Sequence, residues 1–182
     1  MNLVLIGFMG VGKTTVGKRL AERLNYFFID TDGLIEEIDS MTIAEIFERY
    51  GETSFRKRER AVVENVSGLE RCVVATGGGV VLDPQNICRL KDHGLLIHLI
   101  LSPETICQRI GQGSTRPLFQ KEDPRQVLQA FYRSREPLYQ ACRDITVDRN
   151  GLDVEETVEK ILRCVHSYTG RGDSEVWSVE QE

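Results

Sequence analysis

The sequence has no C-x-x-C pair, no apolar run approaching a membrane span, and no excess of positive charge. Its 23 Lys and Arg stand against 28 Asp and Glu, a net charge of −5. Phosphate polymers and anionic membranes are drawn to a basic face, so neither is an expected partner, although a local basic pocket remains open. The five cysteines, Cys72, Cys88, Cys107, Cys142 and Cys164, are odd in number and far apart. They read as reduced thiols in a reducing compartment rather than as a disulfide framework. His93, His98 and His166 show no ligand spacing, which argues against a His/Cys metal centre. The opening apolar run Leu3–Ile6 breaks at once at Gly7, too early for a signal-peptide core. The expected location is the cytoplasm. Tryptophan is nearly absent: Trp177 stands alone in a polar, acidic stretch from Thr169 onward, which reads as a frayed tail over 169–182.

What is present is ordinary globular composition, 41% hydrophobic and 28% charged. A chain of 182 residues makes one domain, here 1–168, and can bury about 70% of its unfolded surface without a metal or disulfide staple. Strand-like runs alternate with helical patterns. The strands are expected at Leu3–Ile6, Tyr26–Ile29, Cys72–Ala75, Leu95–Leu101 and Ile145–Val147. Helices are expected at about Lys13–Leu24, Ile43–Tyr50, Phe55–Val66 and Asp83–Lys91, then from Ser102-Pro103, at Asp123–Ala141 and from Asp153 to about His166. Asp83-Pro84, Ser102-Pro103 and Asp123-Pro124 are N-caps followed by proline at the first helical position, and Asp153 with Glu156 forms a capping box. This alternation predicts an α/β fold of three layers, α/β/α, with a five-stranded parallel sheet. One connection, Gly111 to Asp123, is long, polar and glycine-containing; such a loop is expected to be a mobile lid.

Gly7-Phe8-Met9-Gly10-Val11-Gly12-Lys13-Thr14 matches G-x-x-x-x-G-K-[ST] between an apolar strand and an amphipathic helix. Glycines let backbone N–H groups turn in around phosphate oxygens, and the helix N-terminus adds its positive dipole end. Lys13 is expected to reach the β- and γ-phosphates, and the Thr14 hydroxyl to ligate Mg²⁺. G-x-G-x-x-G is absent, so a dinucleotide fold is the poorer reading. The second strand ends in Asp30-Thr31-Asp32, where parallel sheets bind ligands. One carboxylate there suits a site near Mg²⁺ and one an acceptor hydroxyl; capping of the next helix is the plain alternative. Thr76-Gly77-Gly78-Gly79 permits close backbone approach. Phe55-Arg56-Lys57-Arg58-Glu59-Arg60 is a basic cluster on a helix, Arg116 lies in the long loop, and Arg133 and Arg135 lie on the helix after it.

Taken in order, these segments resemble the shikimate kinases, small members of the P-loop group akin to nucleoside-monophosphate kinases. The resemblance rests on Gly7–Thr14, Asp30-Thr31-Asp32, Phe55-Arg56-x-x-Glu59, Gly77-Gly78-Gly79, Thr115-Arg116-Pro117-Leu118 and Arg135-Glu136-Pro137-Leu138-Tyr139, across residues 3 to about 166. It implies ATP-dependent phosphorylation of the shikimate 3-hydroxyl, with ATP as co-substrate, Mg²⁺ as cofactor and a monomeric enzyme. Gly10, Val11, Gly12, Lys13, Thr14, Thr15, Arg109 and Arg116 would bind the nucleotide. Asp32, Arg56, Gly78, Gly79 and Arg135 would bind shikimate, Asp32 taking the proton of the attacking hydroxyl and Glu59 orienting Arg56. Lys13, Asp32 and Arg116 would be catalytic, and Thr14 and Asp30, the latter through water, would hold the metal. Two alternatives stay open: another small-molecule kinase, acting on gluconate or a nucleoside monophosphate, and a non-catalytic nucleotide switch. The N-K-x-D motif of guanine-specific switches is absent. Ser40 departs from the glycine that many family members carry before the Ile43 helix.

Overall fold

The computed structural model describes residues 1–111 and 124–170. Five apolar runs form strands β1 (Asn2–Ile6), β2 (Phe27–Asp30), β3 (Cys72–Ala75), β4 (Gly94–Ile100) and β5 (Ile145–Asp148). They make one parallel sheet in the order β2-β3-β1-β4-β5, as expected. Every residue of β1 and β3 is buried, because a strand covered on both faces needs apolar side chains at consecutive positions. At the sheet edge β5 reverts to alternation, with Ile145 and Val147 inward. Register β2 sits one residue later than its apolar run suggested, and ends on Asp30.

Among the described residues seven α-helices cover the sheet: α1 (Lys13–Leu24), α2 (Thr31–Asp39), α3 (Ile43–Ser67), α4 (Pro84–His93), α5 (Pro103–Gly111), α6 (Pro124–Cys142) and α7 (Val154–Thr169). The caps predicted within the described residues are in place, and Asp123 lies outside those residues. Asp83 accepts from the Gln85 N–H, Ser102 Oγ from the Thr105 N–H, and Asp153 and Glu156 form the reciprocal box. Two helices expected across residues 43–66 are one interrupted rod, α3, broken at Gly51 with φ 73° and ψ 174°. A side chain at that φ would clash with its own backbone, and glycine carries none. Helix α2 escaped the sequence reading. Its signal was Asp30, which caps it by accepting from the Asp32 and Gly33 N–H groups, followed by Leu34, Ile35 and Ile38.

All five cysteines are free thiols, Cys72 and Cys142 buried and Cys88 exposed. Among the described residues no helix is long and apolar enough to cross a membrane. Of the expected lid and tail, residues 112–123 and 171–182 lie outside the described residues.

Candidate active site

Parallel strands all point their carboxyl ends to one side, and the loops there gather what the sequence scatters. The phosphate loop leaves β1 and enters α1 at Gly12, which caps it at φ 94° with no side-chain hydrogen bond. The positive N-terminal end of α1 therefore faces the loop, where an anion is favoured. Lys13 is buried, its Nζ donating to the carbonyls of Gly7 at 2.7 Å and Phe8 at 3.0 Å. Gly10, Thr14 and Thr15 are exposed on the open side, while Val11 packs inward and its carbonyl accepts from Arg149 Nη1.

Arg149 is a site residue that the sequence reading missed. It is only 4% exposed, and burial, then repulsion from Arg109, holds its pKa below the ordinary guanidinium value. Arg109, on α5, brings Nη1 within 3.8 Å of the point where a Gly12 Cβ would stand. Two guanidiniums thus flank the end of the phosphate loop. The available signal was position alone: Arg149 directly follows the last residue of β5, at the carboxyl edge of the sheet.

The aspartate pair separates into two jobs. Asp30 Oδ2 accepts from Thr14 Oγ1 at 2.6 Å, while its Oδ1 caps α2, so one carboxylate caps the helix and also lies beside the phosphate loop. Thr31 Oγ1 accepts from the Gly77 N–H at 3.0 Å, tying β2 to the glycine turn. Asp32, in the first turn of α2, lays its carboxylate directly over Gly77. Thr14 and Asp30 supply a compact all-oxygen pair beside the phosphate loop, the donor chemistry of a hard cation that keeps part of its water shell; these residues fit Mg²⁺.

Each of the three glycines meets a different part of the site. A Cβ on Gly77 would strike Asp32 Oδ1 and stand 3.1 Å from Glu59 Oε1. One on Gly78 would stand 3.3 Å from the Met9 nitrogen and 3.8 Å from the Gly7 carbonyl oxygen, against the phosphate loop. One on Gly79 would sit in the Arg56 guanidinium, 2.8 Å from Cζ. The run is glycine because three side chains and a second loop already occupy the Cβ positions.

Of the basic cluster on α3, only Arg56 faces this centre. Lys57 is exposed, Arg58 pairs with Asp39 and Arg60 with Asp83 at 2.7 Å. Arg56 Nη1 donates to Glu59 Oε2 at 2.8 Å and its Nη2 to Glu52 at 3.0 Å. The partners pull against each other: burial raises the Glu59 pKa more than Arg56 lowers it. Burial works to lower Arg56, but Glu59 and Glu52 hold it above its ordinary value. Arg56 is therefore a fixed cation, and Glu59 is a carboxylate that protonates more readily than an exposed one. On α6, Arg133 points to solvent. Arg135 stacks over Phe131 at 5.3 Å and Phe8 at 6.0 Å, with Nη1 3.4 Å from the Gly78 carbonyl oxygen. Phe8 belongs to the phosphate loop, so Arg135 bridges that loop and the glycine turn. Arg116, expected on the lid, lies outside the described residues.

The family described as shikimate kinase matches residues 9–166 of this chain. A shikimate kinase of Caldanaerobacter subterraneus subsp. tengcongensis is 46% identical over 170 residues, spanning 93% of this chain and 99% of that one. A solved structure of shikimate kinase from Acinetobacter baumannii in complex with shikimate superposes with a TM-score of 0.87 at 38% identity, covering 91% of this chain and 93% of the other. A gluconokinase from Sinorhizobium meliloti 1021 shares the fold at a TM-score of 0.57 and 16% identity, over 94% of this chain and 97% of that one.

Proposed function

The chain belongs to the shikimate kinase family, it phosphorylates shikimate with ATP, and we propose how its own residues carry the transfer to the 3-hydroxyl. The supporting observation is the packing of Gly78 on the phosphate loop, 3.3 Å from the Met9 nitrogen. It sets the acceptor groups around the glycine turn beside the place where a γ-phosphate would lie. Arg56 and Arg135 hold the shikimate carboxylate, each a planar fork matched to two oxygens. Gly78 and Gly79 offer backbone N–H groups to the acceptor, and Glu59 fixes Arg56. Asp32 holds the 3-hydroxyl and takes its proton as the oxygen attacks phosphorus in line. The P–O bond to ADP breaks, and Lys13 stabilises the charge redistributed over the phosphoryl oxygens.

Gly10, Val11, Gly12, Thr14 and Thr15 cradle the phosphates, and Arg109 with Arg149 grips the nucleotide beyond them. Thr14 and, through water, Asp30 would hold Mg²⁺, which would supply neutralisation of the β- and γ-phosphate oxygens. Arg116, which lies outside the described residues, is the further guanidinium assigned to the γ-phosphate. The enzyme acts as a cytoplasmic monomer with no nucleic-acid or membrane partner. The clustered Arg and Asp groups suit a small hydroxy acid rather than a nucleoside monophosphate, and gluconate is set aside by the 46% identity to a shikimate kinase against 16% to the gluconokinase.

The direct test is ADP release from ATP with and without shikimate, against a panel of small hydroxy acids and nucleoside monophosphates. Turnover should require shikimate; equal turnover with gluconate or a monophosphate would reject the assignment. Arg56→Ala and Arg135→Ala should each weaken shikimate binding by roughly 10- to 150-fold, the value of a hydrogen bond to a charged group, and leave ADP binding in place. Normal shikimate affinity in both variants would remove the carboxylate clamp.

A further inference from the structure

The last residue of the Arg135–Tyr139 segment has no part in the transfer just described, yet it is the most deeply set. Tyr139 is 1% exposed. Its ring stacks on His98 with centroids 5.0 Å apart and an interplanar angle of 22°, and its hydroxyl donates to the carbonyl of Gly78. Burial holds the phenol pKa well above its ordinary value, so the group stays an O–H donor throughout the working range. A phenol that spent its hydroxyl on a helix or on water would be plain core; this one reaches across the fold to the glycine turn, 61 positions away in sequence.

We propose that Tyr139 is a positioning residue for the acceptor site, orienting the Gly78–Gly79 peptide so that the Gly79 N–H faces bound shikimate. The physical reason is peptide planarity. The Gly78 carbonyl and the Gly79 N–H belong to one trans peptide and point in opposite directions, so a donor fixed on the oxygen aims the N–H. Two glycines in succession have no side chain to limit φ and ψ, and that freedom must be removed by something else. Tyr139 removes it from one side, with the Arg135 Nη1 beside it on the same oxygen. Among the described residues no acceptor meets the Gly79 N–H, and the Arg56 guanidinium lies against that glycine. The stack on His98 holds the ring, and His98 in turn lies against the phosphate loop, its Cδ2 3.6 Å from the point where a Gly7 Cβ would stand. One buried ring thus registers the acceptor turn against the phosphate loop. The inference rests on the proposed reading that Gly79 and Arg135 contact shikimate.

Tyr139→Phe removes only the hydroxyl. Its Kd for shikimate by calorimetry should rise roughly 3- to 10-fold, the value of one neutral hydrogen bond, with the ADP Kd within twofold of wild type. In steady state the KM for shikimate should rise while kcat stays within threefold, a split that loss of core packing alone would not give. Arg56→Ala is the control. If Arg56→Ala weakens shikimate binding and Tyr139→Phe, folded, binds it as wild type does, Tyr139 has no positioning role. If Arg56→Ala is also without effect, the acceptor reading itself has failed. Should Tyr139→Phe not fold, amide spectra of the wild-type protein decide: added shikimate should shift the Gly79 N–H resonance, and a Gly79 amide that does not move overturns the proposal.

Discussion

Lys13 holds its ammonium on the Gly7 and Phe8 carbonyls, so the cation is already centred in the loop before a phosphate takes those carbonyls' place. Lys13→Ala should fold normally and lose about 10²–10³-fold in kcat, the usual value of one transition-state donor; turnover within threefold of wild type would take Lys13 out of the mechanism. Asp32→Asn keeps the shape and loses the basicity. It should lower kcat about 10²-fold, the low end for a general base, because a loose phosphoryl transition state asks little of one. A change in KM alone would leave Asp32 as a positioning group. His98 supplies a pH prediction. Burial, with Arg143 and Lys13 opposing a proton and Glu136 at 3.7 Å favouring it, brings its pKa down to about 4. The unfolded chain, with an ordinary imidazole, binds that proton near pH 6.5. The unfolded state therefore holds more protons between about pH 6.5 and 4, and stability falls as pH drops through that window. The loss is about 3 kcal/mol at most. Urea unfolding at pH 7 and pH 4.5 should show a steeper decline in wild type than in His98→Gln; equal slopes would place the acid sensitivity elsewhere.

Helix ends carry the geometry at the next scale. Asp30 ends β2, caps α2 and bonds Thr14 at once, so one carboxylate sets the register of Asp32 against the phosphate loop. The far end of α2 shows a cost. Its cap Ser40 sits at φ 51°, ψ 36°, where a Cβ is unfavourable by about 1–2 kcal/mol. Glycine takes that left-handed position without a Cβ penalty. Ser40→Gly should stabilise the protein by about 0.5–1 kcal/mol after the entropy glycine gains on unfolding, without touching kinetics. A destabilised Ser40→Gly in denaturant titration would contradict the strained cap. The turn between β5 and α7 brings Arg149 to the Val11 carbonyl. Arg149→Ala should raise the KM for ATP and leave the shikimate KM within twofold, measured in the same coupled assay.

For the whole molecule, the site is a seam between units that share few covalent neighbours: the phosphate loop, the start of α2, the middle of α3, the glycine turn and α6. Ligand at the seam must then stabilise the fold as a unit. At 100 times its Kd a ligand adds about 2.7 kcal/mol, which for a domain of this size raises Tm by roughly 5–10 °C. Shikimate should do so for wild type and lose about half or more of the shift in Arg135→Ala, while the shift with ADP persists in that variant. A full shikimate shift in Arg135→Ala would uncouple α6 from the acceptor site.

The sequence alone determined the sheet, the caps and the phosphate loop, because each is written in neighbours. Buried strands are runs, helix starts are Asp or Ser before proline, and a phosphate cradle is contiguous by construction. It also held, in order, the segments that resemble the family whose model matches residues 9–166. It left open what depends on direction. Four basic residues follow Phe55 within the cluster, and only packing turned Arg56 inward while Asp39 and Asp83 took Arg58 and Arg60. The local mark of α2 was slight, a short helix opening on a carboxylate that also serves Thr14. Position alone marked Arg149, and Tyr139 only closed a motif that gave it no role; their partners lie 138 and 61 positions away. A side chain's role of that kind is set by what the fold brings opposite it, and a linear pattern contains no term for the far side.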